Sequence, residues 1–243
     1  MSPSPAVTIP AMIKRIVPAI ATRGRVLTMI GFGLLPVIVA FFINRANDGR
    51  DGDFEPAEFL SQFSLLIFIP LVVLIFASAT LGTLREERTL VYFWLRPIGR
   101  WQIALASFVS GLAVLIPVIT LPTLLLAAII GDGADIAGVL IAGLIGIVAY
   151  GALFTFLGLL TQRALVWGLI YIILWEGFIG GLSRAASRVS IRSYTRSALS
   201  NIADAPSVID SPESMAVVSI VTVLVALAGL ALTTLLLTNL DVD

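Results

Sequence analysis

The chain has no cysteine and no histidine, and its 243 residues include a single lysine, Lys14. Without cysteine there is no disulfide, no thiol nucleophile and no thiolate metal site. Without histidine as well, imidazole-dependent metal centres and Ser-His or Cys-His catalysis are excluded. A phosphate-binding loop requires Gly-x-x-x-x-Gly-Lys-Ser/Thr, and Lys14 stands instead in Ile13-Lys14-Arg15. The chain therefore binds no nucleotide through such a loop of its own. Charge is also scarce, at 12% of residues against about 25% in soluble domains. The formal net charge is zero, so bulk charge points to no partner, nucleic acid included.

What fills the sequence is apolar. The hydrophobic fraction is 58% and the mean hydropathy +1.05. Runs of roughly 20 apolar residues recur, the length needed to cross about 30 Å of hydrocarbon. Continuous apolarity without alternation argues for helices and against a barrel. The expected fold is an all-α membrane protein with a cytoplasmic amphipathic arm over residues 1–25 and one six-span domain over 26–243. The spans are expected at about Val26–Ile43, Phe63–Leu81, Gln102–Ile130, Ile136–Leu160, Ala164–Leu182 and Met215–Leu237. The N-terminus is short and uncharged up to Pro10, without the pattern of a cleavable signal. The arm "IPAMIKRIVPAIATRGRV" suits a helix resting on the inner leaflet.

Basic residues orient the spans. Lys14, Arg15, Arg23 and Arg25 precede the first, Arg85, Arg88, Arg96 and Arg100 follow the second, and Arg163 follows the fourth. All nine fall on one side of a six-span chain, which makes both termini cytoplasmic. The first loop, with five acids against two arginines, and "GDGAD" belong outside. The loop 183–214 resists, because Arg184, Arg188, Arg192 and Arg196 must then lie outside as well. The alternative makes Ala164–Leu182 re-entrant and leaves that loop inside.

Pro36, Pro70, Pro117 and Pro122 fall within spans and favour kinks. Small residues at Gly138, Ala142 and Gly146, and at Gly177 and Gly181, suit close helix approach. Glu176 is the ionisable residue that stands inside a span, roughly 18 Å up the helix from the Arg163 end. An intramembrane acid is either a structural partner, with Arg184 or Arg188 the nearest arginines, or part of an outer gate or transport path. The arginines recurring every four residues from Arg184 read either as snorkelling to headgroups or as a basic rim for an anionic substrate.

The turn after the second span is unusual. In "LREERTLVYFWLRPIGRW", Leu84–Trp101, charges flank an apolar stretch, Thr89–Leu95. As a helix of about two turns it presents apolar side chains all round, which requires burial on every side. Either it is an interfacial aromatic belt or a second protein covers its free side.

The longer run "GTLREERTLVYFWLRPIGRWQIALASF" resembles the cytoplasmic loop of type-2 permeases of ATP-binding-cassette (ABC) exporters. The likeness is carried by Glu86, Glu87, Thr89, Leu90, Arg96, Pro97, Ile98 and Arg100. Arg88 stands where that family often has Gly, and Leu95 replaces a small polar residue. "LWEGFIGGLSRAASRVSIRSYTRSAL" is similar to the end of the fifth span and the start of the outer loop in the same family. The resemblance implies a bacterial plasma-membrane exporter subunit that forms the pathway as a homodimer or with a related permease. It would be driven by a separate cytoplasmic ATPase that holds the ATP and Mg. The loop helix would be a coupling helix, with Leu90, Tyr92, Phe93 and Trp94 against the ATPase and Glu86, Glu87, Arg88, Arg96, Pro97 and Arg100 around them. This chain itself would carry no cofactor and no catalytic residue. The competing classes are an ion-coupled secondary carrier and a membrane-embedded enzyme without His or Cys chemistry.

Overall fold

A computed structural model describes residues 5–46, 55–86, 99–179, 184–209 and 211–239. All secondary structure among them is helical. Helix α1 is Pro5–Ile20 and α2 is Arg23–Ala46. Pro56–Leu60, a π-helical stretch Ser61–Phe68, and Ile69–Glu86 run end to end and are together α3. Helix α4 is Arg100–Ile130 and α5 is Gly133–Leu160. Ala164–Ile170 continues into a second π-helical stretch, Tyr171–Ile179, together α6. The short α7 is Arg184–Ser187, α8 is Ile191–Ala203 and α9 is Met215–Asn239.

Among the described residues, five stretches are long and apolar enough to cross a membrane: Arg23–Phe42, Pro56–Gly82, Arg100–Ile130, Gly133–Leu160 and Met215–Asn239. Of the expected fifth span, Ala164–Leu182, the described residues form the apolar helix Ala164–Ile179, and residues 180–182 lie outside them.

The arm is helical over Pro5–Ile20. Thr8, Met12, Ile16 and Ile20, each four residues apart, are buried against α4 and α3, while Lys14 and Arg15 are exposed. The centre of the bundle is α5, packed on α3, α4, α8 and α9, with Tyr150 and Phe154 wholly buried. Helices α2 and α9 lie outermost: their best spanning windows are 17% and 11% buried, against 67% for Pro56–Gly82. Their outward faces carry Leu35, Phe42, Val223 and Leu227, which is the surface a helix shows to lipid rather than water.

Glycine sets the closest crossings. A Cβ on Gly158 of α5 would collide with the backbone of Ser78 in α3, and one on Gly229 of α9 would meet the Ala152 backbone at 2.9 Å. Such contacts let helices pack without a hydrophobic drive between them. Asp132 starts α5 with a capping box: its Oδ1 accepts from the backbone N–H groups of Ala134 at 2.8 Å and Asp135 at 3.0 Å, and Asp135 accepts from Asp132 N–H at 3.2 Å.

These contacts fix the direction of the chain. Arg100, at the start of α4, donates from its guanidinium to the Leu237 carbonyl at the end of α9, at 2.9 Å. The start of α4 and the end of α9 therefore share one end of the bundle. Gly158 beside Ser78 brings the ends of α5 and α3 to that same end. Helices α5 and α9 thus run the same way, and the chain must return between Thr161 and Met215. Two part-length helices in series make the return. Tyr171 of α6 meets Phe154 edge-on at a centroid distance of 6.1 Å, and Glu176 comes level with Tyr150. Then Thr195 of α8 lies against Gly146 and Leu199 against Gly138. Together they descend the length of α5.

Candidate functional site: a buried carboxylate at a helix start

Helix α6 stops being α-helical where the return passes from one part-length helix to the other. In an α-helix, residues five apart point about 140° away from each other. The i→i+5 pattern of the π-helical stretch brings them to one face. Tyr171 and Glu176 are such a pair, and the Tyr171 hydroxyl donates to Glu176 Oε1 at 2.7 Å.

Glu176 is 1% exposed, and three more donors reach its carboxylate. The Ser190 hydroxyl donates to Oε2 at 2.5 Å, the Ile191 backbone N–H to Oε1 at 3.0 Å and the Arg192 backbone N–H to Oε2 at 3.1 Å. Ile191 and Arg192 are the first residues of α8, and Ser190 is its N-cap, accepting from Ser193 N–H at 3.3 Å. The first N–H groups of a helix have no partner within it and carry the positive end of its dipole. Here a carboxylate from α6 satisfies two of them and the cap serine a third. The energetics favour this arrangement. A lone acid at depth costs roughly 2.5–3.5 kcal/mol on the insertion scale. Each hydrogen bond to a charged group contributes about 1.5–3 kcal/mol, so four of them offset the burial.

Arg192 extends the network. Its guanidinium donates to the Glu176 carbonyl at 3.3 Å and to Gln62 Oε1 of α3 at 3.4 Å. Gln62 in turn donates to Glu58 Oε1 at 2.6 Å. A polar chain thus runs from Glu176 through Arg192 and Gln62 to Glu58, between two π-helical stretches. The wholly buried Tyr150 stacks on Phe154 at a centroid distance of 5.8 Å beside this network.

The other singled-out residues lie apart. Arg188 is exposed and sits 4.0 Å from Glu213, so the structure does not bring it to the Glu176 carboxylate. Arg184 opens α7. The arginine stripe is broken by the turn before Ser190, and Arg196 is turned onto the Val208 carbonyl. Glu86 is the last residue of α3. Glu87, Arg88, Leu90, Tyr92, Phe93, Trp94, Arg96 and Pro97, with the expected coupling helix Thr89–Leu95, lie outside the described residues. Arg100 is the coupling-loop residue with a described contact, to Leu237. No group of three or more His, Cys, Asp or Glu residues placed to hold a metal occurs among the described residues.

The chain matches no protein-family model and no curated protein.

Proposed function

We propose that the chain is the membrane-spanning subunit of an ATP-driven exporter of the type-2 permease class, working as a dimer on separate ATPase subunits that bind ATP and Mg. One observation carries the reading: the charged and aromatic loop Leu84–Trp101 joins α3 to α4, and both helices pack on α5. A partner pushing on that loop would move two central helices at once. Arg100 would pass the same displacement to the end of α9 through Leu237. The lack of a phosphate-binding loop fits a chain that borrows its energy from another subunit.

In this reading the chain crosses a bacterial plasma membrane six times, with α6 and α8 together making the fifth crossing. The loop, both termini and Arg163 are cytoplasmic, where the nine basic residues of that side favour retention. The alternative of an ion-coupled carrier would use an intramembrane charge as a relay. Glu176 already accepts four hydrogen bonds as the cap of α8, and that favours an anchoring role over a mobile one. The test is ATP hydrolysis in lipid by the purified chain alone and with a candidate ATPase subunit. Turnover only in the complex is expected. Robust hydrolysis by the chain alone would refute the reading.

A further inference from the structure

Near the Leu160 end of the bundle, α5 and α6 diverge and leave an apolar groove of about 320 Å3. Leu153, Leu157 and Leu160 of α5 form one wall and Trp167 and Tyr171 of α6 the other, with Thr161 where the chain turns. The groove is open sideways, since Leu160 is 47% exposed and Trp167 56%. Its size sits at the lower end of the roughly 300–1,000 Å3 of small-molecule pockets, which suits a slender occupant.

The chemistry changes abruptly at the turn. Gln162 and Arg163 are exposed. The Arg163 backbone N–H donates to Thr161 Oγ1 at 3.2 Å, which pins the turn so that the arginine stands at the end of the groove. Among the described residues no carboxylate forms an ion pair with Arg163. An apolar slot of this size, ending beside an arginine and an amide, is complementary to an anionic amphiphile.

We infer that this groove binds one acyl chain of an anionic membrane lipid, with the headgroup at Arg163 and Gln162. Tyr171 gives the site its consequence. Its ring is part of the groove wall and its hydroxyl is a donor to Glu176. An occupied groove therefore presses on the residue that helps hold the start of α8. Such a site exists whether or not the chain drives export.

Trp167 is a built-in probe, because brominated acyl chains quench indole fluorescence on contact. The full chain carries four tryptophans. The triple variant W94F/W101F/W175F leaves Trp167 as the sole reporter and is reconstituted in bilayers with rising fractions of brominated phosphatidylglycerol or brominated phosphatidylcholine. Half-maximal quenching is expected at about fivefold lower mole fraction of the anionic lipid, the factor one basic residue contributes near an anionic lipid. Arg163→Gln should abolish that difference, and Leu157→Phe, which fills the groove, should weaken quenching by the anionic lipid. On the unaltered protein, native mass spectrometry should show phosphatidylglycerol retained over phosphatidylcholine, with the preference lost in Arg163→Gln. Equal quenching by both lipids, unchanged in Arg163→Gln, would mean an ordinary lipid-facing surface and overturn the site. Protection from both lipids would mean that protein, such as a second copy, covers the groove, and would overturn it equally.

Discussion

Replacing Glu176 by Gln tests whether the carboxylate holds α8 in place. Each carboxylate oxygen accepts one hydroxyl and one backbone N–H: Tyr171 and Ile191 on Oε1, Ser190 and Arg192 on Oε2. A glutamine keeps the shape but puts an NH2 group where one oxygen was. The hydroxyl facing that group can rotate and accept. The backbone N–H facing it cannot, so one buried donor is orphaned at about 1–3 kcal/mol. Loss of the negative charge at the helix start removes up to about 2 kcal/mol more in a buried setting. At 1% exposure solvent does not refill the gap. The expected loss is therefore about 1–5 kcal/mol, the sum of those two contributions.

The assay is reversible unfolding in lipid or mild detergent, with trypsin cleavage after Arg192 or Arg196 as a local reading of α8 release. Tyr171→Phe and Ser190→Ala each remove one donor and should cost less than Glu176→Gln. Because all act on one carboxylate, Glu176→Gln combined with either should cost less than the sum of the singles. Glu176→Gln with wild-type stability and unchanged cleavage of α8 would refute the cap. So would strict additivity with Ser190→Ala, since it would mean that the two groups do not share an interaction.

Gly158→Ala should destabilise by about 1–3 kcal/mol through overpacking, because its Cβ meets Ser78 backbone, whereas Gly177→Ala meets only the Ile172 carbonyl at 3.5 Å and should stay within about 0.5 kcal/mol; unfolding of the pair reads the contrast. Since the chain has no cysteine, single cysteines at Ala134 and Ser207 should react with an impermeant reagent from one side of the membrane and those at Gln162 and Thr238 from the other. Labelling of Ser207 from the same side as Gln162 would contradict the return of the chain through α6 and α8. Tyr92→Ala, Phe93→Ala and Arg96→Ala should each weaken co-purification with the ATPase while leaving membrane insertion intact, since truncating an interface anchor can cost about 2 kcal/mol or more. Full retention in all three would return the loop to an interfacial belt.

The long helices were legible because lipid removes the ambiguity of short apolar runs. A continuous apolar stretch such as Met215–Leu237 has one stable form there, and it is found as Met215–Asn239. The arm was legible as an amphipathic helix from its mix of apolar and basic residues, although the pattern does not reveal that Met12, Ile16 and Ile20 pack on α4 and α3. Within the expected fifth span, the π-helical stretch Tyr171–Ile179 was the least legible feature. Ala164–Leu182 is apolar enough, but apolarity does not reveal a π-helical stretch, and it is that stretch which brings Tyr171 under Glu176. Small residues were legible in part: Gly138 and Gly146 lie close against Leu199 and Thr195 of α8, whereas Gly177 is exposed and the tight crossings at Gly158 and Gly229 follow no obvious pattern.

Glu176 shows most clearly where residue identity runs out. An acid in an apolar helix points to a basic partner, and the arginines nearest along the chain are Arg184 and Arg188. Its carboxylate is instead met by two hydroxyls and two backbone N–H groups. Backbone donors carry no letter in the sequence. They become available only where a helix begins, and a helix start buried among other helices is fixed by tertiary packing. One signal was present: Ser190 stands directly before the amphipathic run Ile191–Ala203, the position an N-cap takes. An intramembrane acid should therefore be weighed against capped helix starts nearby as well as against arginines. In this chain that comparison leads to the junction of two part-length helices, where one carboxylate ties α6 to α8 and, through Arg192 and Gln62, to α3.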